Sequence, residues 1–216
     1  SNTSGTSDLA VTVRPGLNVK LSGTTTDIYL TGSGEYKHYM GLSDESTKDL
    51  SRLNGGLELD AKFLKTGIAP INLKLDYRHN ADPRNQTVNQ KLEHDIIGAT
   101  LGLNFTPGGG ALKLQLSYSP TIDLYPSRSG EAGAQDDSVL STHKHVATFK
   151  TIWKFLPKTA TFLEGKFESL MYLNSDKTTS IVGNDISNQN ISVVSVYTGL
   201  TGKVTEKIGL ILRAGY

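Results

Sequence analysis

The sequence predicts an all-β fold: a transmembrane, up-and-down antiparallel β-barrel built as a single domain over residues 1–216. Three observations carry this. Apolar and polar residues alternate with period two along most of the chain, the mark of strands with unlike faces. The alternating runs reach about 10 to 14 residues, beyond the ~5 to 6 of ordinary globular strands and suited to a tilted bilayer crossing. Short turns and long polar connections take turns along the chain, which puts the turns on one rim and the loops on the other.

The elements follow in order. After a polar lead-in, Ser1 to Ser7, the run LAVTVRPGLNVKL (Leu9 to Leu21) alternates strictly, yet holds Pro15 and Gly16 near its middle. Proline has no N–H for the ladder, so a bulge or a local break in pairing is expected there. Ile28, Leu30 and Tyr36 then oppose Tyr29, Glu35 and Lys37; Leu53, Leu57, Leu59 and Phe63 oppose Glu58, Asp60 and Lys62. Ile71, Leu73, Leu75 and Tyr77 oppose Lys74, Asp76 and Arg78, and Ile97, Leu101 and Phe105 oppose Gly98, Thr100 and Asn104. Leu112, Leu114, Leu116 and Tyr118 face away from Lys113 and Gln115; Phe149, Trp153 and Phe155 from Lys150 and Lys154; Leu163, Phe167 and Met171 from Glu164, Lys166 and Glu168. Val194, Val196 and Leu200 oppose Tyr197 and Lys203, and Ile208 to Tyr216 closes the series with Arg213 on the polar side. Ten strands result.

Turn formers mark the short connections at Ser22–Asp27, Lys65–Pro70, Thr106–Ala111, Leu156–Ala160 and Thr205–Lys207. The long ones lie near Ser43–Arg52, His79–His94, Tyr125–Thr142 and Asn174–Asn190. With turns on the inner side, both chain ends fall on the outside, whereas bacterial barrels keep both inside. One more strand at each end, and a barrel of twelve or more, is the expectation; the alternative reads Tyr216 as a terminal aromatic.

Composition narrows the function. A formal net charge of +1 offers no broad electrostatic footprint for nucleic acid. The chain has no cysteine, which removes disulfides, thiolate zinc sites and cysteine nucleophiles together. No apolar run approaches the ~18 residues of a membrane helix, an argument that leaves strands untouched. A soluble sandwich or lipocalin-like barrel would share the alternation. The aromatics decide for the membrane: Tyr36, Tyr77, Phe63, Phe105, Tyr118, Trp153 and Phe155 sit towards strand ends of the apolar face, as an interfacial girdle would.

In that reading the lumen is lined by Arg14, Lys20, Glu35, Lys37, Glu58, Asp60, Lys62, Lys74, Asp76, Arg78, Lys113, Lys150, Lys154, Glu164, Lys166, Glu168, Lys203 and Arg213. Both signs are abundant, so they can pair across strands and fill a narrow lumen, or line a wet one with slight anion preference. Catalytic signals are wanting. His143 and His145 share a strand face and could bind a metal with Asp136 or Asp137 of the preceding loop, though a wet pair at a loop mouth is the plainer expectation; no G-x-S-x-G elbow accompanies the Ser, His and Asp residues, and PGGG at Pro107–Gly110 reads as a hairpin turn. No enzyme, cofactor or metal site is expected.

A resemblance adds to this. SDLAVTVRPGL, GEYKHYMGL, STKDLSRLNGGLEL, LDYRHNADPRNQ, FTPGGGALKLQLSYSPTIDLY, TIWKFLPKTATFLEGKF and GLTGKVTEKIGLILRAGY, in that order, resemble outer-membrane β-barrel proteins of myxobacteria and related deltaproteobacteria, of the β-barrel porin type. The resemblance covers nearly the whole chain and implies an outer-membrane location, with lipid, lipopolysaccharide and other envelope proteins as partners. Among such proteins some look like components of a gliding-motility apparatus, others like exopolysaccharide-export barrels or porins. It implies no catalytic residue.

Overall fold

Alternating runs rich in Val, Ile, Leu, Thr and Tyr suit an extended, pleated backbone. Each becomes a strand in the computed structural model, which describes residues 9–40, 51–82, 92–126, 137–174, 179–181, 184–186, 190–203 and 208–216. The strands are β1 (Leu9–Val13), β2 (Gly16–Ser22), β3 (Thr26–Met40), β4 (Arg52–Phe63), β5 (Ile71–Asp82), β6 (Leu92–Phe105) and β7 (Leu112–Leu124). They continue with β8 (Thr142–Leu156), β9 (Thr159–Tyr172), β10 (Thr179–Ile181), β11 (Asn184–Ile186), β12 (Ile191–Lys203) and β13 (Gly209–Gly215). All but β10 and β11 belong to one antiparallel up-and-down sheet, ordered β1-β3-β4-β5-β6-β7-β8-β9-β12-β13, with β2 also paired to β3.

The ten predicted strands are therefore present as ten positions across the sheet, because β1 and β2 share one. Val13 faces Tyr36 and Gly16 faces Ser33, so the interruption falls at Arg14 and Pro15 with no residue inserted. Pro15 breaks the ladder and makes no bulge. Its carbonyl still accepts the Gly34 N–H at 3.0 Å, and the return bond to the Gly34 carbonyl is the one a proline cannot donate. The PGGG turn takes the hairpin role expected of it, with Gly108, Gly109 and Gly110 all at positive φ (60°, 77° and 90°), where a side chain would be strained. The long connection after β9 holds the small hairpin of β10 and β11, beyond the ten expected strands.

The sheet does not close into a barrel. Among the described residues β1 and β2 pair only with β3, and β13 only with β12, leaving two free edges. Both are weak ladders, one cut at Pro15 and the other seven residues long. They match nonetheless. Odd residues of β1–β2 bond inwards, as Pro15 does to Gly34, and even residues of β13 do so, as Tyr216 does to Val196 at 2.8 and 2.9 Å. The backbone groups left at either edge belong to residues whose side chains lie on the same, charged face.

Among the described residues no layer packs on this sheet. The buried apolar side chains among the described residues are Ala61, Ala81, Val139 and Ala160, and no bulky side chain is fully buried. The short connections join strand ends on one rim; the four longer ones leave from the other.

The charged face as a candidate functional site

Strand register sorts the side chains onto two faces. One carries Val11, Val13, Leu17, Leu57, Leu75, Leu101, Leu116, Phe149, Leu163 and Val196, all open to the surroundings; Leu101 keeps 53 % of its surface and Trp153 55 %. The other carries Arg14, Lys20, Glu35, Glu58, Asp60, Lys62, Lys74, Asp76, Arg78, Lys113, Lys150, Glu164, Lys166, Glu168 and Arg213. Several of its carboxylates are well covered, the side chains of Asp27, Asp76 and Glu164 exposing 15 %, 18 % and 18 %, while Glu58 keeps 49 %. This reverses the order of a soluble domain.

Coverage comes from pairing. Glu35 receives Arg14 Nε at 2.6 Å and Arg52 at 3.8 Å, while Glu58 meets Lys74 at 3.0 Å and Asp76 meets Arg78 at 3.4 Å. Glu164 binds Lys150 of β8 at 2.8 Å and, reaching over β12, Arg213 of β13 at 3.2 Å. Glu168 takes Lys144 at 2.5 Å and Lys166 at 2.8 Å. Glu35 and Glu164 each sit on a strand between the cations they serve, and Glu58–Lys74 and Glu168–Lys144 also cross strands, so these pairs fasten neighbouring strands. Polar links fill the gaps: Gln115 Nε2 donates to Asn104 at 2.8 Å, Thr100 and Ser119 hydroxyls lie 3.0 Å apart, and His94 meets Asp123 at 2.7 Å.

Aromatic rings enter this face too, which alternation had assigned mainly to the other. Phe162 projects beside Lys150, whose Nζ lies 5.2 Å from its ring centre, and Tyr197 lies 3.8 Å beneath the Arg213 guanidinium. Glycines make the room. A Cβ on Gly199 would come within 2.6 Å of Phe162 Cζ, and one on Gly98 within 2.5 Å of Asp76 Oδ1. Parity carried a signal for both rings, Tyr197 with Lys203 and Phe162 with Glu164; the glycine beside each is fixed only by the register.

Tyrosine and histidine cluster on the apolar face towards the long-loop rim. Tyr36 stacks on His38, the Tyr77 hydroxyl donates to Asp95 at 2.8 Å with His79 at the same oxygen, and Tyr118 meets His145 at 2.6 Å. His143 and His145 do share a face, their rings 3.9 Å apart. No group of three metal-ligating side chains forms among the described residues, and Asp136 lies outside them. At the opposite end Trp153 and Phe155 lean together at 5.8 Å.

No protein-family model, curated protein or solved structure matches this chain.

Proposed function

We propose that this chain is a non-enzymatic outer-membrane β-barrel, a structural or adhesion component of an envelope-spanning complex such as a gliding-motility machine. One observation carries the reading: the apolar face is bare along its length while the charged face is paired within itself. Water penalises such a face over its whole area, whereas lipid does not. A sheet in lipid must have no unpaired edge, and the matching edges of β1–β2 and β13 support closure, directly or through an even number of further strands. Strands of 12 to 15 residues such as β4 and β8 suit the span: twelve residues tilted near 40° cover about 30 Å.

The ion pairs support a structural role over an open pore, because they hold strands together and occupy the space inside a narrow barrel. The long connections then offer surfaces to other envelope proteins, and the apolar face to lipid and lipopolysaccharide. Single-channel recording after reconstitution tests this: the expected trace is silent, and steady conductance of open-porin size overturns it. A second reading, a porin or polysaccharide-export channel, has one observation in its favour. Lys62 and Lys113 on the charged face have no described carboxylate partner, as a wet, anion-preferring lumen would allow.

A further inference from the structure

Most cations of the charged face meet a carboxylate and a few, such as Lys62 and Lys113, stand singly, but at one place three lysines without an ion pair among the described residues line the same cleft. Where β8 turns into β9 and β12 ends, a cleft of about 510 Å³ opens, lined by Lys154, Lys158, Lys203, Thr201 and Ile211. Backbone geometry fixes the lysines together: Lys203 N–H donates to the Lys158 carbonyl at 3.0 Å, and the Lys154 rung lies beside Ala160 on the next strand. Among the described residues no carboxylate lines the cleft, and none of the three lysines has an ion pair there. Elsewhere on this face carboxylates meet cations, with Glu35, Glu164 and Glu168 each serving two. Three lysines on one cleft leave positive charge that no described carboxylate balances, and a bound anion is what would balance it.

We propose that this cleft is an anion-binding site for a phosphate-bearing ligand, held by Lys154, Lys158 and Lys203. Phosphate fits the chemistry because ammonium groups act as freely aimed point charges for a multivalent oxyanion, and the Thr201 hydroxyl beside them adds a donor. The ligand is a soluble phosphate or the phosphate of a lipid headgroup. The proposal goes beyond the membrane reading, since the cleft is formed by the fold as described.

The test uses the full chain refolded in a nonionic detergent. Inorganic pyrophosphate is titrated by calorimetry in one arm, and phosphatidylglycerol doped into the micelles in the other. Saturable one-to-one binding is expected in at least one arm, weakened about tenfold or more by K154Q/K158Q/K203Q. Pyrophosphate alone binding identifies a soluble ligand, and the lipid alone binding a headgroup. Lys144→Gln, which removes a lysine already paired to Glu168, is expected to leave binding unchanged. No saturable binding in either arm by a chain whose circular dichroism shows strands, or equal binding by the triple variant, overturns the site. Loss of the strand signal in the wild-type chain itself would instead count against the fold on which both readings stand.

Discussion

Arg14 Nε meets Glu35 Oε2 at 2.6 Å across the very gap that Pro15 opens between β1 and β2. Side chains bridge the sheet where the backbone does not. The pair is exposed on the arginine side, so its worth is modest; its significance is positional, since it keeps β1 and β2 on one register with β3.

Pro15→Val is expected to restore the missing rung, because the Gly34 carbonyl faces position 15 and lacks only a donor there. Hydrogen exchange should show a protected amide at position 15, with protection rising at Gly16. An amide at position 15 that exchanges at the solvent rate would mean the break has another cause.

Glu164 ties β8, β9 and β13 together through Lys150 and Arg213. Glu164→Gln strands two cations on the charged face, and the urea midpoint in micelles should fall by an amount equivalent to about 1 kcal/mol, given the part-exposed partners. Double variants with Lys150→Gln should lose less than the sum of the singles.

Two glycines in neighbouring strands should behave oppositely. Alanine at Gly199 would press on Phe162 and on the Leu212 carbonyl, and G199A is expected to cost roughly 1–3 kcal/mol. Nothing lies within 4 Å of a Cβ at Gly165, so G165A should be neutral or stabilising by roughly 0.5–1 kcal/mol. Thermal or urea unfolding of both variants checks the pair.

Closure can be trapped, helped by the lack of native cysteine. Asn18→Cys combined in turn with Ile211→Cys, Arg213→Cys and Gly215→Cys should give an intramolecular disulfide for one partner in refolded chains. Formation of none of them would place further strands between the two edges.

Most of the strand plan was legible in sequence, because period-two alternation is enforced at every residue of a two-faced sheet. The parity of Arg14, Lys74, Glu164 and the other charges followed from the same rule, and the register keeps them on one face. What escaped had non-local causes. The Phe162–Gly199 and Tyr197–Gly215 fits arise between residues brought together only by register, and the effect of Pro15 depends on which side its nitrogen faces. The β10–β11 hairpin lies in a polar stretch with little alternation to mark it. The state of the two edges depends on what surrounds the sheet, and lipid leaves no direct trace in strand periodicity.

The single tryptophan offers the most direct measurement of the central claim. Trp153 sits on the apolar face near the short-turn rim, with 55 % of its surface open and Phe155 beside it. In a chain refolded into phospholipid vesicles its emission should be blue-shifted, quenched by lipids brominated near the interface and shielded from aqueous acrylamide. Red-shifted emission, open to acrylamide and indifferent to brominated lipid, would contradict a membrane-facing apolar surface.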